Sequence, residues 1–142
     1  MKKLKPYFLA VLIGTICAVV LFSNTQKEAF AYEKYNAYAV QIGVFVSEEY
    51  ALNMGKKYNA KVYYDDGVYR VYYSILTEEE TLNFITNYLE NNNIGYITKH
   101  ISLNKETIDI IKKYENAMKN VKNDNSKLKI NEEIINKIEG VI

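Results

Sequence analysis

The chain has 142 residues, 49% hydrophobic and 25% charged, with a formal net charge of +1. That length allows one small domain with appendages, and a single cysteine excludes an intrachain disulfide. Residues 38–103 carry five Lys/Arg against eight Asp/Glu, which speaks against nucleic acid as a partner, because phosphate backbones are bound by neutralising their charge.

At the amino end, Lys2, Lys3 and Lys5 precede Tyr7 to Phe22, a run of sixteen residues without a charge. Positive residues ahead of an apolar run hold the amino end in the cytoplasm and send the chain beyond the run across the membrane. Sixteen residues is short of the roughly 20 that a spanning helix needs, although Ser23 to Thr25 extend the run at the interface. Ala29-Phe30-Ala31 has the small-x-small form of a signal cleavage site, separated from the apolar run by a polar gap. Residues 1–25 therefore read as a membrane anchor, seated through residues 7–22, with secretion after cleavage near Ala31 as the alternative. Cys17 lies within the apolar run behind Ile16, where a lipoprotein would need a small residue. Residues 26–37 are polar, without apolar periodicity, and read as a linker.

The first strand is expected over Ala39 to Val46, with Val40, Ile42 and Val44 facing a core and Gln41 and Gly43 facing away. Gly43 inside it suggests a bulge that would swing Phe45 inward. Ser47 is an N-cap with Glu48 and Glu49 in the first turn. The next helix shows Ala51, Met54, Gly55 and Tyr58 as one stripe. Asp66-Gly67 between extended runs calls for a two-residue type I′ turn. Such a turn sets Tyr64 opposite Tyr69, Tyr63 opposite Arg70, Val62 opposite Val71 and Lys61 opposite Tyr72. Opposed residues share a face. Val62, Tyr64, Tyr69, Val71 and Tyr73 are expected inside; Lys61, Tyr63, Arg70, Tyr72 and Ser74 in water.

Thr77-Glu78-Glu79-Glu80 reads as a capping box at the start of a second helix, whose stripe is Leu82, Ile85 and Leu89 and which ends at Asn91-Asn92-Asn93. Ile94 to Leu103 forms the last strand, with Lys99 on an edge where its amine reaches water. The order β-α-β-β-α-β predicts an α+β, ferredoxin-like domain: a four-stranded antiparallel sheet with two helices on one face and the other face open. From Asn104 the pattern is helical again. Ile108, Ile111, Met118 and Val121 form one stripe; Leu128, Ile130, Ile134, Ile135 and Ile138 form another after a break at Lys122 to Lys127. Residues 104–142 thus read as a helical extension whose stripes need cover, from the domain, from each other or from a protein partner.

Catalytic chemistry has little foothold here. His100 is the lone histidine, no Cys–His pair or metal-ligand cluster is visible, and the clustered glutamates sit where capping needs them. No enzyme activity and no cofactor are expected.

Val40-Gln41-Ile42-Gly43-Val44-Phe45 and Tyr69-Arg70-Val71, in this order of elements, resemble the SPOR (sporulation-related repeat) domain family. The resemblance covers residues 38–103 and departs from the family pattern at Ser74-Ile75-Leu76, where G-P-F is usual. It implies binding of peptidoglycan glycan strands, stripped of stem peptides at the septum, by the open sheet face. Gln41, Tyr63, Arg70, Tyr72 and Tyr96 are the residues expected to bind glycan. Sugar rings stack their C–H faces on aromatic rings, and hydroxyl and acetamido groups bond to Gln and Arg. An extracytoplasmic protein-interaction module of the same shape is the alternative.

Overall fold

The computed structural model describes residues 34–138; the anchor or signal expected over 1–25, Cys17 and the cleavage site at Ala31 lie outside the described residues. Among the described residues, no helix is long and apolar enough to cross a membrane. The elements are β1 (Tyr35–Phe45), α1 (Glu48–Tyr58), β2 (Lys61–Asp65), β3 (Val68–Leu76), α2 (Glu79–Asn91), β4 (Ile97–Leu103), α3 (Lys105–Asn120) and α4 (Asp124–Lys137). They form an α+β fold with one antiparallel sheet in the order β2-β3-β1-β4, compatible with a ferredoxin-like arrangement. β1 begins at Tyr35, inside the segment read as linker, because Tyr35, Asn36 and Ala37 pair with Leu103, Ser102 and Ile101. β4 begins at Ile97 rather than Ile94.

The hairpin has the register its turn dictates. Asp66 and Gly67 take φ of 49° and 80°, both left-handed. Lys61, Val62, Tyr63 and Tyr64 stand opposite Tyr72, Val71, Arg70 and Tyr69. Val71 is fully buried. α1 lies against this side of the hairpin: a Cβ on Gly55 would come 2.9 Å from the Ala60 carbonyl oxygen and 3.1 Å from Val62 Cγ2. Tyr64 departs from expectation. It is 66% exposed, near the turn, where it meets the Tyr69 ring at 4.9 Å between centroids.

Val44 departs as well, being exposed rather than in the core. The cause is irregular pairing on β1, with register shifts between Val40 and Gln41 and between Gln41 and Gly43. Beyond the shifts, Gly43 stands opposite Val71 and Val44 opposite Arg70, so Val44 shares the outer side with Arg70. Phe45 folds back over Gly43, where a Cβ would lie 2.6 Å from its ring. The bulge and the inward Phe45 are both present, with Phe45 packed on the core.

The start of α2 corrects the capping box. Glu78 holds the N-cap position and no local side chain caps the helix. A carboxylate from α3 does so instead. Glu115, fully buried, accepts from the backbone N–H of Thr77 at 2.9 Å and of Glu78 at 3.1 Å, and from the hydroxyls of Thr81 and Thr77. An anion belongs there, where free amides and the helix dipole both favour negative charge. Lys119 pairs with Glu78 beside it.

The carboxyl-terminal helices share the core of the sheet. Ile108, Ile111, Met118, Ile134, Ile135 and Ile138 are buried in one cluster with Val40, Val71, Ile75, Ile85 and Leu89. The stripes expected to need cover therefore find it within the chain. The break between these helices is shorter than expected, since α4 already begins at Asp124, capped by the Asn123 side chain. β2 pairs with β3 only as far as Tyr72. Beside the rest of β3, the Asn131 amide of α4 donates to the Tyr73 carbonyl at 3.0 Å, and the Ser74 hydroxyl donates to Asn131 Oδ1. Ser74, expected in water, is fully buried for that reason.

Candidate functional site

Pairing alone assembles most of the expected site. Gln41 on β1 stands opposite Tyr72 on β3, and Tyr63 on β2 stands opposite Arg70 on β3. The rings of Tyr63 and Tyr72 meet at 5.7 Å between centroids, tilted by 56°. Arg70 Nε donates to Asp65 Oδ2 at 2.9 Å, which holds the guanidinium beside the hairpin. Strand alternation puts Lys61, Tyr63, Arg70 and Tyr72 on one side of the sheet, away from Val62 and Val71.

Two of these residues are less open than expected. Tyr72 is 8% exposed and Gln41 only 3%. They occupy the two central strands, where neighbours crowd them: Tyr63 packs on Tyr72, and Gln41 lies between Tyr72 and Ile97 of β4. Burial pushes the Tyr72 hydroxyl above its ordinary pKa, with the Arg70 charge pulling the other way. The Gln41 Oε1 atom is buried, and among the described residues no group donates to it. Leaving such an acceptor unpaired costs about 1–3 kcal/mol.

Tyr96 is not brought into the group. It precedes β4, and its hydroxyl donates to Glu90 Oε1 at the end of α2 at 2.6 Å, a bond that raises its pKa. In its stead the structure supplies two apolar neighbours that sequence reasoning missed. Val44, opposite Arg70, and Ile97, opposite Gln41, are 46% and 58% exposed. The signal for Val44 was Gly43, since a bulge at that glycine changes the side on which the next residue falls. The resulting surface has aromatic edges, two apolar side chains and one guanidinium, with the Gln41 amide oxygen buried beneath it. It can take up a ligand that offers C–H faces together with N–H or O–H donors.

Among the described residues, no group of three His, Cys, Asp or Glu is placed to hold a metal ion. Neither family models, nor curated proteins, nor solved structures provide a match to this chain.

Proposed function

We propose that the protein is an exported, membrane-anchored peptidoglycan-binding protein that takes up septal glycan strands on the Gln41–Tyr63–Arg70–Tyr72 side of a ferredoxin-like SPOR-type sheet, in cell division or sporulation. The observation that carries this reading is the buried, unpaired Gln41 oxygen between Tyr72 and Ile97. It asks for a donor that the described residues do not supply, and an acetamido N–H or a sugar hydroxyl is such a donor, reaching the oxygen when the exposed Ile97 side chain moves aside. Tyr63 offers ring surface beside it and Arg70 offers donors. The resemblance of Val40–Phe45 and Tyr69–Val71 to the SPOR pattern, and the apolar segment 7–22 behind three lysines, support export to the wall.

An interaction module is the second reading, favoured by the exposed Val44 and Ile97 at the border of the site. Sedimentation of the full-length, detergent-solubilised protein with purified sacculi separates the two. Glycan binding requires co-sedimentation that increases when stem peptides are removed and that changes little with salt, since stacking and neutral hydrogen bonds are not screened. A protein that stays in the supernatant with both kinds of wall would leave the interaction module standing.

A further inference from the structure

Because α4 rather than a strand flanks the end of β3, a trough remains on the helical side of the molecule. One cavity of about 510 Å³ lies between the end of α1, α2 and α4, with Tyr58, Tyr73, Tyr88 and Lys129 in its wall. A second, of about 340 Å³, lies between α1 and the start of β2, with Leu52 and Lys56 in its wall. Asn59 and Glu132 line both cavities. Where the two cavities share lining, Asn59 Nδ2 donates to Glu132 Oε2 at 3.5 Å, an exposed contact at the weak end of the hydrogen-bond range.

Charge in this trough runs against that of the surrounding domain. Residues 38–103 are acidic on balance, yet Lys56, Lys57 and Lys129 line the trough against Glu132. Lys57 Nζ stands 4.9 Å above the Tyr58 ring, so one spot offers both a cation and an aromatic surface. Tyr73 forms a dry floor: it is buried, its ring lies nearly parallel to that of Tyr88, and burial pushes its hydroxyl pKa well up.

We infer that the two cavities form one groove that binds an acidic glycan, distinct from the sheet face and independent of its ligand. The walls set each requirement. Half-buried Tyr58 and Tyr88 suit the C–H faces of sugar rings, and the lysines suit a carboxylate or phosphodiester. The two-chambered length suits at least two linked units. An extended peptide fits less well, because the Tyr73 carbonyl that a peptide strand would seek is already bonded to Asn131. The volumes fall within, or combine into, the roughly 300–1,000 Å³ of ordinary ligand sites.

The test is a titration of the full-length, detergent-solubilised protein with four labelled probes: a hyaluronan oligosaccharide, a glucosylated poly(glycerol phosphate), maltohexaose (neutral and without acetamido groups) and poly-glutamate. One or both acidic glycans should bind at least about tenfold more tightly than the other two; whichever binds identifies the anionic group. Lys56→Glu with Lys129→Glu, both on the exposed surface, should weaken that binding roughly tenfold, each exposed charge pair contributing a factor of about two to five. Glu132→Gln should tighten it about two- to fivefold by removing the opposing charge. Tyr63→Ala, on the sheet, should leave it unchanged. Equal binding of maltohexaose or poly-glutamate, no binding of either acidic glycan, or indifference to the lysine reversals in a folded protein would overturn the proposal. Loss of binding in Tyr63→Ala alone would do the same, by moving it to the sheet.

Discussion

The two halves of β3 face different neighbours. From Val68 to Tyr72 it is flanked by β2, in a register set by two turn residues; from Tyr73 to Leu76 it is flanked by α4, through the Asn131 side chain. The first half needs nothing beyond its own hairpin to be aligned. The second depends on chain some sixty positions away: Asn131 lies 58 residues beyond Tyr73. The lesson is that a strand edge can be closed by a helix, provided a buried polar side chain answers the backbone group that a strand would have paired. This closure leaves one side of the sheet to the Gln41–Tyr72 group and opens a trough on the other.

The sharpest way to break the contrast is to remove the second neighbour. Truncation after Leu103 strips the core of Ile108, Ile111, Met118, Ile134, Ile135 and Ile138. Each fully buried side chain contributes about 1.5–3 kcal/mol, so the loss is of the same order as the roughly 5–15 kcal/mol that holds a domain together. We expect residues 34–103 to show no cooperative unfolding transition in urea. A cooperative one would make the carboxyl-terminal helices an accessory after all. Glu115→Ala is the next largest effect, about 3 kcal/mol, because it removes the acceptor shared by the part-buried N–H groups of Thr77 and Glu78 and the hydroxyls of Thr77 and Thr81. Asn131→Ala should cost about 2 kcal/mol through the Tyr73 carbonyl and the Ser74 hydroxyl. The urea midpoint measures both.

A smaller effect tests burial on both sides of the sheet. The hydroxyl pKa values of Tyr72 and Tyr73 are raised, chiefly by burial. The unfolded chain releases these protons near pH 10, where the folded one still holds them, so their contribution is intact below that pH and is lost as pH rises above it. Stability should therefore fall progressively as pH rises above about 10, and less so in Tyr73→Phe. An equal alkaline slope in wild type and variant would show that Tyr73 is not the buried group described.

The hairpin was legible because Asp66-Gly67 fixes pairing locally, and the alternation on either side then sorts Val71 from Arg70. Val44 was misplaced although Gly43 signalled the bulge, because the bulge was applied only to Phe45, whereas the shifted pairing with β3 turns Val44 outward as well. The cap on α2 was missed for a related reason: Thr77 and Glu80 have the spacing of a capping box, but the acceptor arrives from Glu115. A signal was available there. Glu115 lies on the same stripe as Ile108, Ile111 and Met118, as Asn131 does with Leu128, Ile134 and Ile135. A lone polar residue on an apolar stripe is a buried side chain in search of a partner, and here both partners lie at the end of β3 and the start of α2. Of the expected site, pairing assembled Gln41, Tyr63, Arg70 and Tyr72, while Tyr96 was drawn off by Glu90.

The central functional claim is that Gln41 is kept unpaired for a ligand, and Gln41→Met tests it most directly. Methionine conserves the volume and removes the orphan oxygen. Stability should rise by about 1 kcal/mol, the cost of the unpaired acceptor being relieved. Binding to glycan strands stripped of stem peptides should weaken at the same time by about fivefold or more, the worth of one neutral hydrogen bond. A variant that is more stable and binds such strands as well as the wild type would contradict the claim.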